Sequence, residues 1–222
     1  MRIFLVRHGE SMGNVDTGVH RRMADHAIPL SDRGREQAQE AGRALDRHFA
    51  GLYPATPPRI RLWTSPYRRT RATADGLQET AGRWFTDRRE HVLLCEQQFG
   101  LFDGVPDEEL TALFPAEHAH YRKQEEFEGR FWARMPLGES RFDVAVRVHQ
   151  AFGTFHRDVA TSDIRDIVVV CHGVTLRAFV MMWCHHPAEW FESEPNPRNA
   201  AIRWIDGGVD RGYLFEGFAR GA

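Results

Sequence analysis

Two short apolar runs, each leading within two residues to a histidine and a glycine, constrain the fold more than any other feature of the sequence. The first is residues 3–6, in a strand predicted at residues 2–6, and continues into Arg7 and His8, and the second occupies residues 167–171 and continues into His172. Short apolar runs rich in β-branched residues are typical of strands covered on both faces, as in a parallel sheet. Because the carboxyl ends of parallel strands meet at one edge of the sheet, we expect the two imidazoles to lie close together there.

Strand and helix patterns alternate along most of the chain. Further strands are predicted at residues 59–64, 91–95, 200–206 and 213–218. Helices are predicted after the N-cap candidate Ser31, after Pro66, and over residues 139–160, where apolar side chains recur at helical spacing. The apolar face of the third helix is expected to contain Ala145, Val148, Phe152, Phe155 and Val159. This order predicts an α/β fold, a three-layer α/β/α sandwich whose central sheet is mostly parallel with an antiparallel hairpin at one edge.

Length and composition fit a soluble globular protein. The 222 residues include 29 basic and 31 acidic side chains, and the formal charge of −2 gives no reason to expect nucleic acid or a membrane as a partner. Cys95, Cys171 and Cys184 form no metal-binding spacing and are odd in number, which favours free thiols in a reducing compartment. With no membrane-spanning run and no signal-peptide pattern, we expect a cytoplasmic protein with one domain, residues 1–222.

Two stretches interrupt the alternation and are predicted to fold over the carboxyl edge of the sheet, where α/β sheets bind ligands. They are a polar loop at residues 15–29 and an irregularly helical segment at residues 102–136. A basic group in the loop is either a solvated charge run or a wall that contacts substrate: His20, Arg21, Arg22 and His26. Four aromatic residues either line a substrate-facing cap or form its core: Phe99, Phe102, Tyr121 and Phe127.

Five segments carry side chains suited to phosphate chemistry, and they follow one another in a characteristic order. They are RHGES with Asn14, PLSDRGREQA at 29–38, SPYRRTRATA at 65–74, CEQQFG at 95–100 and VVCHGVTLRA at 169–178, with PLGES at 136–140 as a further familiar element. In content and order they resemble the motifs of the histidine phosphatase superfamily. The resemblance covers nearly the whole chain and implies a phosphoglycerate mutase-like fold.

The resemblance implies a nucleophile and a pair of phosphate-binding arginines. His8 is expected to attack phosphorus and form a phosphohistidine, with its other ring N–H held by a backbone carbonyl such as that of Gly9. Arg7 and Arg69 are expected to clamp the phosphoryl oxygens with their planar guanidinium groups. The spacing from Ser65 favours Arg69 over the neighbouring arginines.

The remaining implied roles fall on the second histidine motif and on the acid segment. His172 is expected to donate a hydrogen bond as charge redistributes in the transition state, and Asn14 and the Gly173 amide are expected to bind phosphate. Glu96 matches the proton donor of the family, a role that needs burial or a nearby anion to keep the carboxyl group protonated. No metal or other cofactor is implied, because arginines and imidazoles supply the positive charge.

The superfamily contains phosphatases and mutases, and three local differences favour a phosphatase. Where phosphoglycerate mutases have an arginine and a tyrosine in the acid segment, this chain has Gln97 and Phe99, and Val174 stands where mutases usually have asparagine. We therefore expect a metal-independent phosphomonoester hydrolase that acts through a phosphohistidine on a small phosphorylated metabolite and releases inorganic phosphate. The alternatives are a cofactor-dependent mutase and a non-catalytic protein that binds a phosphorylated ligand.

Overall fold

The computed structural model describes residues 1–55 and 58–219. The prediction of a single domain over residues 1–222 thus includes five positions, 56, 57 and 220–222, that lie outside the described residues. The strands are β1 (Arg2–Arg7), β2 (Ile60–Thr64), β3 (Phe85–Glu90), β4 (Asp166–Cys171), β5 (Ile202–Asp206) and β6 (Val209–Phe215). They form one sheet in the order β3-β2-β4-β1-β5-β6. The first four are parallel neighbours and the last two pair antiparallel, so the predicted sheet type is confirmed.

Helices connect the strands and cover the sheet. In the described residues they are α1 (Met12–Val15), α2 (Asp32–Leu52), α3 (Arg68–Ala81), α4 (Asp107–Leu113), α5 (Pro115–Glu128), α6 (Arg141–Ser162), α7 (Gly173–Trp183) and α8 (Ala188–Ser193). Ser31 caps α2 by accepting a hydrogen bond from the Gly34 N–H at 3.0 Å, as predicted. Ser140 caps α6 and forms a capping box with Asp143, which satisfies N–H groups that the first helical turn leaves unpaired.

Alternate residues of the central strands contribute to two separate cores, one on each side of the sheet. In β1, Ile3 and Leu5 pack with side chains of α6 and α7, whereas Phe4 and Val6 pack with side chains of α2 and α3. This alternation is the two-residue period of a β-strand, and burial of both faces explains why the run is apolar throughout. The predicted three-layer α/β/α sandwich is therefore confirmed.

The prediction of a strand at residues 91–95 is wrong. This stretch contains the 3-10 turn Val92–Leu94, and the edge of the sheet is formed instead by β3, whose sequence is FTDRRE. β3 is polar because charged side chains on an edge strand face solvent and discourage further strand pairing. Leu94 is apolar because it is buried in the core beside α6. The apolar run thus indicated burial correctly but not strand conformation.

Two smaller predictions also need correction. Val159 is 37% exposed and does not belong to the buried face of α6. The last strand was expected at residues 213–218, but β6 begins four residues earlier, at Val209. It begins there because the hairpin turn consists of Gly207 and Gly208 alone, both at positive φ, which suits a two-residue turn.

A buried charge network joins β2 to β3 and α6. Arg61 of β2 is 2% exposed and donates to both carboxylate oxygens of Asp87 in β3, at 2.7 and 3.0 Å. The same guanidinium contacts Asp158 of α6, whose second oxygen accepts a hydrogen bond from Trp63 Nε1 at 2.9 Å. A buried guanidinium requires such partners because removing one charge of a buried pair costs about 3–5 kcal/mol.

The two stretches predicted as insertions contact one another. Arg21 Nε donates to the Gly104 carbonyl at 2.9 Å, and its terminal nitrogen pairs with Glu109 at 2.7 Å. The second stretch contains α4, α5 and a small apolar cluster of its own, formed by Phe102, Leu110, Tyr121 and Ala133. We call residues 15–29 and 102–136 together the cap. In the part of the chain that is described, no helix has the length and apolarity needed to cross a membrane.

Candidate active site

A cavity of about 510 Å³ opens where β1 ends. Most of the predicted site residues line it: Arg7, His8, Asn14, Arg69 and Glu96. The other two, His172 and Gly173, are buried directly after β4, at the start of α7. The rings of His8 and His172 lie edge to face with centroids 5.3 Å apart. The structure thus places the two imidazoles side by side, as the pairing of parallel strands predicts.

His8 is held by backbone groups on both sides. Its Nδ1 lies 2.7 Å from the carbonyl oxygen of Gly9, and its backbone N–H donates to the Cys171 carbonyl at 3.0 Å. A carbonyl oxygen only accepts, so Nδ1 carries a proton, and in the neutral imidazole Nε2 carries the lone pair. Gly9 has to be glycine because a Cβ there would stand 2.3 Å from the carbonyl oxygen of Gly34.

His172 is fixed from the side of β2. Its Nε2 lies 2.9 Å from the hydroxyl oxygen of Ser65, and the Tyr67 ring packs against it with centroids 5.0 Å apart. Burial lowers the pKa of His172 well below its usual value, and the positive charge of Arg69 acts in the same direction. The imidazole is therefore neutral and able to donate one N–H. The sequence marked Ser65 only as part of a motif, and its contact with His172 was not foreseen.

Glu96 projects its carboxyl group toward the first turn of α7. Its Oε1 accepts hydrogen bonds from the Gln97 N–H at 3.0 Å and from the Thr175 N–H at 3.3 Å. The Thr175 hydroxyl lies 3.3 Å from the same oxygen but donates its proton to the Cys95 carbonyl at 2.6 Å. Its Oε2 accepts only a long bond from the Val174 N–H, 3.4 Å, among the described residues. The N-terminal end of a helix favours a carboxylate, so α7 positions this group as well as carrying His172.

The segment that carries Glu96 is held by an arginine that sequence reasoning missed. Arg147 of α6 donates to the carbonyl oxygens of Leu93 and Cys95, both at 2.8 Å, and to that of Glu96 at 3.0 Å. The same guanidinium is bidentate to Glu139 at 2.8 and 3.0 Å. The non-strand conformation of residues 91–95 is what presents these carbonyls to Arg147.

Arg7 and Asn14 reach the cavity from either side of His8. Arg7 is buried, and its guanidinium donates to the carbonyl oxygen of Pro197 in the segment before β5. The side-chain oxygen of Asn14 accepts the Ser11 N–H at 3.1 Å, which leaves its NH₂ group as the donor of that side chain. Gly173 is the first residue of α7, and a Cβ there would stand 2.3 Å from Asn196, which lines the cavity.

Arg69 has a partner that the sequence did not predict. Its two terminal nitrogens donate to the two carboxylate oxygens of Asp25, at 2.8 and 3.2 Å, and one of them also reaches the Asp25 carbonyl at 2.6 Å. The guanidinium lies over the ring of Tyr67, 4.9 Å from its centroid. Asp25 thus engages the end of Arg69 that was expected to bind phosphate. No motif marks Asp25, because it belongs to the irregular part of the cap.

The basic group of the cap divides into one cavity residue and three others. His20 lines the cavity, with Nδ1 3.2 Å from Asp103 and 3.6 Å from Asp25, and the nearby Asp103 carboxylate raises the pKa of His20. Arg21 instead joins the two cap segments. The other two lie apart from the cavity lining: Arg22 pairs with Asp16 at the surface, and His26 packs its ring against that of Tyr67.

The four aromatic residues that were expected either to line a substrate-facing cap or to form its core occupy different places in the structure. Phe99 lines the main cavity, whereas Phe102 and Tyr121 belong to the apolar cluster of the cap and line a neighbouring cavity of about 630 Å³. Phe127 is 77% exposed and contributes to neither. Both original readings therefore apply, each to different residues.

The cavity contains further charged residues that the sequence analysis did not single out. They are Arg130, Arg141, Arg177 and Glu192. Arg177 lies inside the second histidine motif and Arg141 directly follows PLGES, so their proximity to known motifs was the available signal. Within residues 1–55 and 58–219, no group of three or more His, Cys, Asp and Glu side chains is arranged to hold a metal ion.

Comparison with known proteins agrees with the resemblance seen in the motifs. The sequence profile of the histidine phosphatase superfamily (branch 1) matches residues 3–214. The chain is 38% identical over 225 residues to the phosphoglycerate mutase-like protein AT74 of Arabidopsis thaliana, which covers 96% of this chain and 66% of AT74, slightly less than two thirds of that relative. It is 26% identical over 280 residues to the broad-range acid phosphatase DET1 of Saccharomyces cerevisiae, covering 90% and 83% of the two chains.

Among solved structures, the fold is similar to that of a mycobacterial glucosyl-3-phosphoglycerate phosphatase. The TM-score is 0.68 at 25% identity, and the alignment covers 99% of both chains. The profile match spans nearly the whole chain, and the sheet order, the paired imidazoles and the buried arginines agree with it. The chain therefore belongs to the histidine phosphatase superfamily, branch 1.

Proposed function

We propose that this protein hydrolyses small phosphate monoesters through a phosphohistidine at His8, without a metal ion, and releases inorganic phosphate. The observation that carries the proposal is the contact between His8 Nδ1 and the Gly9 carbonyl, 2.7 Å. A nucleophilic imidazole must be neutral, with its lone pair on the attacking nitrogen, and this contact supplies that tautomer.

Arginines supply positive charge for the phosphoryl group, and His172 supplies a hydrogen-bond donor. Arg7 and Arg69 line the cavity beside His8, and guanidinium groups suit the bidentate binding of phosphoryl oxygens. His172 is neutral before the reaction, so it acts as a hydrogen-bond donor whose effect grows as charge develops on the oxygens. These groups stabilise the phosphoryl oxygens as a metal ion does in metal-dependent phosphatases, so the proposed reaction needs no metal ion.

Glu96 completes the proton balance of both steps. First, His8 Nε2 forms a bond to phosphorus, the P–O bond to the leaving alcohol breaks, and Glu96 gives its proton to that oxygen. Water then attacks the phosphohistidine, Glu96 takes a proton from it, the P–N bond breaks, and inorganic phosphate leaves. Oε2 is the oxygen suited to carry the proton, because Oε1 already accepts two backbone N–H hydrogen bonds and Oε2 a single long one among the described residues.

The cavity supports a small substrate and a hydrolytic outcome. Its volume of about 510 Å³ falls within the usual range for small-molecule sites, about 300–1,000 Å³. The mutase alternative requires groups in the acid segment that hold a carboxylate. Here Gln97 donates its amide to the Glu139 carbonyl at 2.8 Å, and Phe99 has no hydroxyl. Water is therefore the acceptor that we propose for the phosphoryl group.

Rapid-quench labelling tests the proposal. We expect the purified protein, kept in EDTA, to release phosphate from p-nitrophenyl phosphate and to show a transient, acid-labile and base-stable phosphoryl label. His8→Ala should abolish both the label and turnover, whereas replacement of the cap histidine His26, as His26→Ala, should preserve both. Turnover by His8→Ala would contradict covalent catalysis, and a wild-type protein that binds phosphate without turnover would favour the non-catalytic alternative. A screen of phosphorylated metabolites would then identify the substrate.

A further inference from the structure

A second group of cations lies in the cavity and takes no part in the proposed hydrolysis. Arg141 is the first residue of α6, and Arg177 lies one helical turn beyond Gly173 in α7. Both guanidinium groups are placed against the ring of Phe191, at 5.8 and 4.4 Å from its centroid. Two helices from different parts of the chain thus present arginines to one wall of the cavity.

Arg177 has no carboxylate within ion-pair distance among the described residues. Its NH1 donates to the carbonyl oxygens of Glu194 and Phe191, at 3.0 and 3.5 Å, and no ion pair joins it to an acid in that part of the chain. Its Nε is buried without a hydrogen-bond partner among the same residues. Burial and the nearby charge of Arg141 lower the pKa of Arg177. Such a cation is costly unless an anion joins it.

Arg141 is placed against the preference of its own helix. A cation at the first position of a helix opposes the helix dipole, which favours anions there. Its side chain is 11% exposed and pairs with Glu192 at 2.6 Å, so Arg141 is held in position beside Arg177. The helix dipole therefore does not explain an arginine at this place, and the ion pair with Glu192 holds its guanidinium at the cavity wall.

The charges of the whole cavity also favour an anionic ligand. Five arginines line it against three carboxylates. Asp25 is paired with Arg69 and Glu192 with Arg141, and the carboxyl group of Glu96 accepts hydrogen bonds from the first turn of α7. All three carboxyl groups of the cavity therefore have other partners, and none of them forms an ion pair with Arg177 among the described residues.

We propose that Arg177, together with Arg141, binds a second acidic group of the substrate, a carboxylate or a second phosphate. This inference rests on the proposed function, because it concerns the leaving group of the same reaction. Side chains one helical turn apart are separated by about 5–6 Å, so Arg177 lies roughly that far along α7 from Gly173 at the phosphate end of the cavity. The substrate class is then a phosphate monoester whose alcohol carries an acidic group several ångströms from the phosphorus.

Binding of non-hydrolysable phosphonates tests this proposal without relying on turnover. The probes are phenylphosphonate, 4-carboxyphenylphosphonate and 1,4-phenylenebisphosphonate, measured by isothermal titration calorimetry. We expect the wild type to bind at least one diacid about tenfold or more tightly than phenylphosphonate, as a hydrogen-bonded charge pair implies. The preferred diacid identifies the second group as carboxylate or phosphate.

Variants assign the preference to the two arginines. Arg177→Gln should remove most of the preference for the diacid and leave the affinity for phenylphosphonate within about threefold, and Arg141→Gln should act in the same direction. The matched control is Arg134→Gln, whose guanidinium pairs with Asp143 at the surface outside the cavity, and it should keep the preference. Equal affinity of the wild type for all three probes would overturn the inference, as would an equal loss for all three in Arg177→Gln. Absence of aryl phosphate turnover would instead count against the proposed function alone.

Discussion

Replacing Asp25 by asparagine is expected to strengthen the binding of inorganic phosphate. Asp25 engages both terminal nitrogens of Arg69, the groups that a phosphoryl oxygen would use. Phosphate therefore has to displace the carboxylate from Arg69 or share the guanidinium with it. Asparagine has nearly the same shape but no charge, so it competes less well with an anion.

The magnitude follows from the burial and geometry of the pair. The side chains of Arg69 and Asp25 are 5% and 16% exposed, so solvent screens the pair only weakly. A hydrogen bond to a charged group contributes about 1.5–3 kcal/mol, and every 1.4 kcal/mol corresponds to a factor of about ten in affinity. Asparagine retains a neutral hydrogen bond, and the contact of Arg69 with the Asp25 carbonyl does not depend on the side chain. We therefore expect the lower end of the range, a gain of about tenfold.

Competitive inhibition measures the effect. The inhibition constant of inorganic phosphate against p-nitrophenyl phosphate should fall about tenfold in Asp25→Asn, and calorimetric titration with phosphate should show the same change. Asp16→Asn is the matched control, because Asp16 lies in the same loop but pairs with Arg22 at the surface, and its inhibition constant should stay at the wild-type value. An unchanged or weaker affinity for phosphate in Asp25→Asn would refute the reasoning and show that Asp25 instead orients Arg69 for its ligand.

Three further predictions concern the acid, the metal and the buried network. Glu96→Gln should lower kcat/KM for alkyl phosphates by about 10²–10⁴ and for p-nitrophenyl phosphate far less, because a good leaving group needs no proton; equal losses would argue against the acid role. Exhaustive dialysis against EDTA should leave kcat unchanged, and a loss of activity that a divalent cation restores would reveal a metal requirement. Asp158→Ala should lower the free energy of unfolding in urea by about 3–5 kcal/mol, because it removes a partner of Arg61 and of Trp63. The exposed Glu126→Ala should change it by less than about 0.5 kcal/mol, and similar values for the two variants would contradict the network.

The sequence predicts those parts of the fold in which local pattern and tertiary environment agree. β1 and β4 are recognisable because both of their faces are buried, which requires apolar residues throughout. β3 is not recognisable, because an edge strand is stabilised by one neighbour and its exposed positions are charged. The mistaken strand at 91–95 has a different cause, because there an apolar run is buried by packing against α6 rather than by strand pairing.

The residues of the candidate site likewise include some that the sequence predicts and some that it does not. His8 and His172 are predictable because each follows a buried strand directly, so the backbone alone determines where the side chain lies. Asp25 comes from an irregular loop, and Arg177 occupies a helix face whose direction depends on packing against Phe191. No local spacing encodes such contacts, since they arise only when distant segments have docked.

The imidazoles of the site and the residues that would contact the leaving group are held in position by different parts of the molecule. The two imidazoles that we propose to act on phosphorus are held by nearby backbone or by a neighbouring strand end: His8 by the Gly9 carbonyl and His172 by Ser65. These restraints do not involve the leaving group, so they serve any phosphate ester. The residues that would contact the leaving group are held by contacts with other helices and with the cap, as Arg141 is by Glu192. Substitutions on that wall can therefore change which ester enters without disturbing the nucleophile, and for this reason the motifs indicate the reaction while the substrate has to be inferred from side chains outside them.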